Sequence, residues 1–184
     1  MLRALAIAIA LAFAAPAVAQ TPLPADPANT VVLETTKGRV VIRLRNDVAP
    51  AHAERIKVLA REGFYDNVPF HRVIADFMAQ TGDGEFGNGT GGSKYPDLRQ
   101  EFSKVPFARG VVGMARTSDP NSANSQFFIM LTEKSHLNGQ YTVVGYVTEG
   151  MDVVDQIKKG ESARNGVVKD PDKIVKLTVQ ADAK

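Results

Sequence analysis

Short runs of period-two hydrophobicity, each cut off by a turn signal, most restrict what this chain of 184 residues can fold into. Val40, Ile42 and Leu44 alternate with Arg39, Val41 and Arg43, the pattern of a half-buried strand. Val31 to Arg45 therefore reads as a hairpin, with Lys37-Gly38 at its turn, where glycine supplies positive φ. Further strands are expected at about 68–74, 77–80, 111–115, 126–131 and 142–148. Ile174, Leu177 and Val179 mark a last one. Only two stretches carry a helical stripe. Pro50 to Glu62 places Ala53, Ile56, Leu59 and Ala60 on one side, with proline in the first turn and Gly63 closing it. Met151 to Lys159 follows Gly150 and sets Met151, Val154 and Ile157 together. Many short strands with few helices predict an all-β-dominated, closed antiparallel sheet. There is no internal repeat, low-complexity tract or domain break.

The first 19 residues stand apart. Arg3 gives a positive start, Ala4 to Ala14 is an unbroken apolar run, and Ala17-Val18-Ala19 is a small-x-small cleavage site before Gln20. This pattern reads as a secretory signal peptide. A membrane anchor is disfavoured, because the run falls short of the roughly 20 residues that span a bilayer. Residues 20–29, with Pro22, Pro24 and Pro27, read as an extended linker, and residues 30–184 as the folded domain. The Ala-rich leader makes the periplasm the expected address, with a Gram-positive exterior as the alternative. Cysteine is absent, so stability rests on the core and no thiol chemistry is available. A formal net charge of +2, without a Lys/Arg cluster to focus it, argues against nucleic acid. No stable membrane association is expected after cleavage, and a monomer is the expected state.

Two stretches carry the chemistry. Phe70 to Asp83 holds one cation, Arg72, one amide, Gln80, and two large apolar residues, Phe77 and Met78. Alone it reads equally well as an edge strand whose arginine lays its stem on apolar surface. The second stretch, Gly110 to Met130, contains Gly113-Met114-Ala115-Arg116 and Asn121-Ser122-Ala123-Asn124-Ser125-Gln126-Phe127-Phe128-Ile129. Phe-His-Arg followed by Phe-Met-x-Gln-x-Gly-Asp, together with Ser-Gln-Phe-Phe-Ile, resembles the cyclophilin family of peptidyl-prolyl isomerases. The resemblance covers nearly all of the chain after residue 30.

That resemblance implies a closed eight-stranded antiparallel β-barrel capped by two α-helices, with a packed interior and a substrate site on its outer face. It implies Arg72 as the catalytic donor to the prolyl nitrogen. Phe77, Met78, Phe128 and Leu137 match the proline pocket, and Gln80 the amide that touches the carbonyl before proline. Ala115 and Arg116 match the segment that holds the preceding residue, and Gln126 a polar wall. His136 and Tyr141 match rim positions. Proline-containing polypeptides, unfolded or flexible exported proteins, are the implied partners, and neither cofactor nor metal is implied. Three positions depart from the common pattern. His136 stands where many eukaryotic members carry tryptophan, so weak cyclosporin binding is expected. Tyr141 replaces histidine in many members, and Arg116 replaces a more usual asparagine.

Other readings are weaker. Residues 82–92 hold six glycines and match Gly-x-Gly-x-x-Gly twice, but no helix opens on them, as a dinucleotide site requires. They read instead as a loop over the barrel edge that could contact residues flanking the reactive bond. His52, His71 and His136 lack metal-ligand spacing; they read as helix surface, strand packing and pocket rim. Ser125 lacks a nucleophile elbow and reads as a strand start. Asp76 and Asp83 do not suggest a paired acid and base. Of Phe127 and Phe128, strand parity sends one ring inward and one to the pocket. The rival functions are a binder of proline segments without turnover, and a barrel holding a small apolar ligand in an interior cavity.

Overall fold

The computed structural model describes residues 26–183; the expected leader, and residues 20–25 of the expected linker, lie outside them. Asp26 to Asn29 is not extended: Pro27–Asn29 forms a 3-10 turn, with the Asp26 carboxylate accepting from the Asn29 backbone N–H.

Eight strands follow: β1 (Thr30–Thr35), β2 (Gly38–Leu44), β3 (Arg72–Ile74), β4 (Met78–Thr81), β5 (Val111–Met114), β6 (Phe127–Met130), β7 (Val143–Glu149) and β8 (Ile174–Val179). They form one antiparallel sheet in the order β3-β4-β6-β5-β7-β2-β1-β8. The expected closed barrel is thus corrected to an open, curled sheet. Its two end strands, β3 and β8, share no ladder. Among the described residues the seam is bridged where Phe70 N–H donates to the Asp172 carbonyl and Ile174 N–H to the Val68 carbonyl, around the isolated pair Pro69–Lys173. Beyond this pair the edge of β3 is taken by residues 160–168: Val73 N–H donates to the Gly166 carbonyl, Gly160 N–H to the Val73 carbonyl and Val168 N–H to the His71 carbonyl. The strand expected over 68–74 is regular only from Arg72, where its pairing with β4 begins.

Helix α1 (Pro50–Arg61) and a shorter α2 (Met151–Gln156) complete the fold. The second helix stops before the expected Lys159 because Ile157 leaves helical geometry and buries its side chain. The α1 N-terminus has no capping side chain of its own. A distant carboxylate, Glu101, accepts from the Ala51 and His52 N–H groups at 3.2 and 3.1 Å, which satisfies orphan donors and suits the positive end of the dipole. His52 therefore faces inward: it is 0% exposed, contrary to the surface position expected of it.

The alternation of β6 divides the apolar residues. Phe127 and Ile129 join the interior cluster with Leu33, Ile42, Ile56, Leu59 and Leu177. Phe128 and Met130 face the other side, with Met78, Phe107, Val111, Leu137 and Val143. The interior is filled, leaving a void of about 10 Å³ among Val31, Ile42, Val112, Phe127 and Leu177. That is at most one water's space, which removes the reading of a ligand-carrying barrel.

Candidate active site

The outer cluster opens into a notch. Arg72 and Gln80 reach it from opposed positions on β3 and β4, where they are backbone partners. Phe77 and Met78 come from the turn and first residue of β4, and Phe128 from β6. Ala115 and Arg116 follow β5, Leu137 comes from the 3-10 turn Ser135–Leu137, and Tyr141 precedes β7. All nine line one cavity of about 110 Å³, room for a few waters' worth of ligand. Two of the expected site residues lie outside this lining. Gln126 sits beside it, its Oε1 accepting from Gln80 Nε2 at 3.0 Å. His136 is exposed, its ring 6.3 Å from that of Phe77.

Rings build the floor. Phe107 stacks on Phe128 at 5.9 Å, and Tyr141 meets both edge-on. The stack needs Gly113, since a Cβ there would fall 2.5 Å from Phe128 and 2.6 Å from Phe107. Arg116 does not point into the notch as a free charge. Its guanidinium lies 4.5 Å over the Tyr141 ring and donates to the carbonyls of Gln140 and Thr117.

The Arg72 guanidinium also lines the notch, beside these apolar walls. Burial lowers its pKa from the ordinary value, and Tyr141 opposes that shift; an arginine nevertheless stays charged. It donates through Nη1 to Gln80 Oε1 at 3.2 Å, through Nε to the Asn165 carbonyl at 3.1 Å, and through Nη2 to Asn165 Oδ1 at 3.0 Å. The chain of bonds runs on from Gln80 through Gln126, whose Nε2 donates to the carbonyls of Gly89 and Gly91.

Those glycines belong to the loop 82–92, which bounds a second cavity of about 280 Å³ that shares Gln80, Ala115 and Arg116 with the notch. The loop is wound around one carboxylate. Asp83 is 1% exposed and accepts from five backbone N–H groups, those of Glu85, Phe86, Asn88, Gly89 and Gly91. Burial alone would raise its pKa, but the N–H groups of Phe86, Gly91, Gly89 and Asn88 outweigh it and bring it down to about 2. Asp83 is thus an anchor for the loop. His71 is buried under Gly89 but precedes β3 rather than lying within a strand, and the buried Ser125 hydroxyl donates to the Gly82 carbonyl.

Sequence reasoning missed Asn165, Phe107 and the anchoring role of Asp83. The dipeptide Asn165-Gly166 is a turn signal that marks where the first would be found. Among the described residues no cluster of three or more His, Cys, Asp or Glu could hold a metal ion, and no helix is long and apolar enough to cross a membrane.

Known proteins resemble this chain along most of its length. The family model described as cyclophilin type peptidyl-prolyl cis-trans isomerase/CLD matches residues 30–179. A probable peptidyl-prolyl cis-trans isomerase of Brucella suis is 61% identical over 175 residues, covering 90% of this chain and 89% of that protein. Peptidyl-prolyl cis-trans isomerase B of Escherichia coli is 38% identical over 148 residues, covering 76% and 90%. Among solved structures, a cyclophilin from Hirschia baltica superposes with a TM-score of 0.78 at 31% identity, covering 86% of this chain and 76% of the other. A Cryptosporidium parvum cyclophilin-type isomerase, solved in the presence of the dipeptide Ala-Pro, gives 0.75 at 27% identity, covering 82% and 98%.

Proposed function

This chain belongs to the cyclophilin-type peptidyl-prolyl cis-trans isomerase family, and from that premise we propose that Arg72 and the notch beside it turn Xaa-Pro bonds in exported polypeptides as they fold. The supporting observation is the guanidinium held by Asn165 and Gln80 on the wall of a cavity formed by Phe77, Met78, Phe128 and Leu137.

An Xaa-Pro bond turns slowly because resonance makes C–N partly double. Halfway round, the prolyl nitrogen regains a lone pair, and the carbonyl stands across the ground-state plane. An enzyme gains by holding that twisted form more tightly than either planar one. The apolar walls receive the pyrrolidine ring and exclude water, which strengthens any contact to the arginine. Arg72 donates to the lone pair as it appears. Gln80 positions the carbonyl before proline, and the backbone at Ala115 and Arg116 holds the preceding residue. The second cavity, walled by the glycine loop, receives residues further from the bond.

Magnitudes fit. Shortening tens of seconds to milliseconds is about four powers of ten, or ~5.5 kcal/mol. One preorganised donor to developing charge supplies roughly 2.7–4 kcal/mol. Selective fit to the twisted amide supplies the rest.

The leader-like first 19 residues favour export to the periplasm as the place of action. Two measurements test the proposal. Residues 20–184 should accelerate the proline-limited phase of a refolding substrate at catalytic amounts. The full-length chain expressed in a Gram-negative host should be recovered from the periplasm beginning at Gln20. Acceleration only at stoichiometric amounts would favour a proline-segment binder, and recovery from the cytoplasm with Met1 intact would remove the export reading.

A further inference from the structure

The Arg72 side chain is gripped from a part of the chain far from the sequence motifs that surround it. Its Nε–H and one Nη2–H form a fork, the first ending on the Asn165 carbonyl and the second on Asn165 Oδ1. Gln80 takes one N–H of Nη1. A guanidinium has five N–H donors, so two remain uncommitted, one on each terminal nitrogen.

Asn165 can present both oxygens to one edge because its backbone is left-handed, with φ at 53°. Asparagine is among the few side chains that adopt this region readily. The turn carrying it is docked on β3. Val73 N–H donates to the Gly166 carbonyl at 2.8 Å, and Gly160 N–H to the Val73 carbonyl at 2.9 Å. A Cβ at Gly160 would lie 2.0 Å from the Gly166 oxygen, and one at Gly166 would lie 2.4 Å from Ile74. Gly160 packs on the backbone of Gly166, and Gly166 on the Ile74 side chain and the Val73 carbonyl, so the position of Asn165 relative to β3 is fixed closely.

The fork matches what a carboxylate would offer to the same edge, but it is neutral. A carboxylate would orient the guanidinium equally well. It would also offset the positive charge that a developing lone pair is meant to meet.

From this geometry we infer that Asn165 is a positioning residue of the isomerase: it fixes the plane of Arg72 and leaves its charge undiminished toward the substrate. The inference rests on the reading of Arg72 as the donor to the prolyl nitrogen.

The test compares Asn165→Gly, Asn165→Asp and Arg72→Ala in the full isomerase domain, with Asn67→Asp as a control at another left-handed asparagine. Glycine and aspartate both tolerate this backbone, so all Asn165 variants should fold. Turnover of an Ala-Pro peptide and its binding to the protein are measured separately. Asn165→Gly, which loses one arm of the fork, should lower kcat about tenfold while peptide affinity stays within about twofold. Asn165→Asp should keep the Arg72 Nε–H resonance in its hydrogen-bonded position, yet also lose about tenfold in kcat. Asn67→Asp should match the parent. Parental kcat in Asn165→Gly beside an inactive Arg72→Ala would overturn the positioning role. Parental kcat in Asn165→Asp would overturn the requirement for neutrality. Full activity in Arg72→Ala would instead remove the reading of Arg72 on which both rest.

Discussion

Arg72 and Gln80 are partners twice over: they face each other in the β3–β4 ladder, and their side chains meet at 3.2 Å between Nη1 and Oε1. Gln80 also holds Gln126, which in turn holds the carbonyls of Gly89 and Gly91. Leucine at 80 would keep the shape and remove both polar contacts. Gln80→Leu is expected to lower kcat/KM about tenfold, a loss of ~1.4 kcal/mol of transition-state stabilisation. Peptide isomerisation followed by exchange NMR checks this, with thermal unfolding showing that the fold persists.

Asp83 supplies a pH dependence whose sign is fixed. Its folded pKa, about 2, lies below the ordinary 3.8, so the unfolded chain binds the proton more readily. The stabilisation, roughly 2.5 kcal/mol, is fully present above about pH 4 and is lost as pH falls toward 2. Asp83→Asn should flatten stability across that window. At neutral pH it should cost about 2–3 kcal/mol, because backbone donors lose a charged acceptor. Urea unfolding of both proteins at pH 7, 4 and 2 provides the readout.

His52 acts in a milder range. It is buried, its Nδ1 lies 2.6 Å from Glu101 Oε2, and its Nε2 has no hydrogen-bond partner among the described residues. Burial lowers its pKa below 6.5, more than the Glu101 contacts raise it, and nearby Arg55 lowers it further. The unfolded chain therefore takes up the proton first. This contribution is complete above about pH 6.5 and weakens as pH falls through the lower folded pKa. His52→Gln should remove the part of the pH 7 to 5 stability slope that belongs to this ring, as measured by denaturant midpoints.

Gly113 tests whether the ring floor shapes the notch. Alanine there would press on Phe128 and Phe107. The expected cost is about 1–3 kcal/mol of stability for overpacking, with a several-fold rise in KM as Phe128 is pushed into the cavity. Thermal melts and steady-state kinetics separate the two effects.

Much of this site could be read in the sequence because β3 and β4 are joined by a tight turn. Arg72, Phe77, Met78 and Gln80 are neighbours in both sequence and space. The parity of Phe127 and Phe128 was equally legible, since a strand must send adjacent side chains to opposite faces. Asn165 was not, because it is 93 positions from Arg72 and meets it through the docking of one turn on β3. Period-two patterns also say nothing about how a sheet ends; here residues 160–168 lie along the edge of β3, where β8 would have to pair to close the ladder. The helical stripe was read too narrowly at His52. Glu101, which draws its ring inward, arrives from a loop with no periodicity to announce it.

The central claim concerns one guanidinium, and kcat/KM for an Ala-Pro peptide tests it most directly in the parent and in Arg72→Ala of matched stability. The account predicts a loss of roughly 100- to 1,000-fold, the worth of one preorganised donor to developing charge. An Arg72→Ala protein turning over within about twofold of the parent would contradict it.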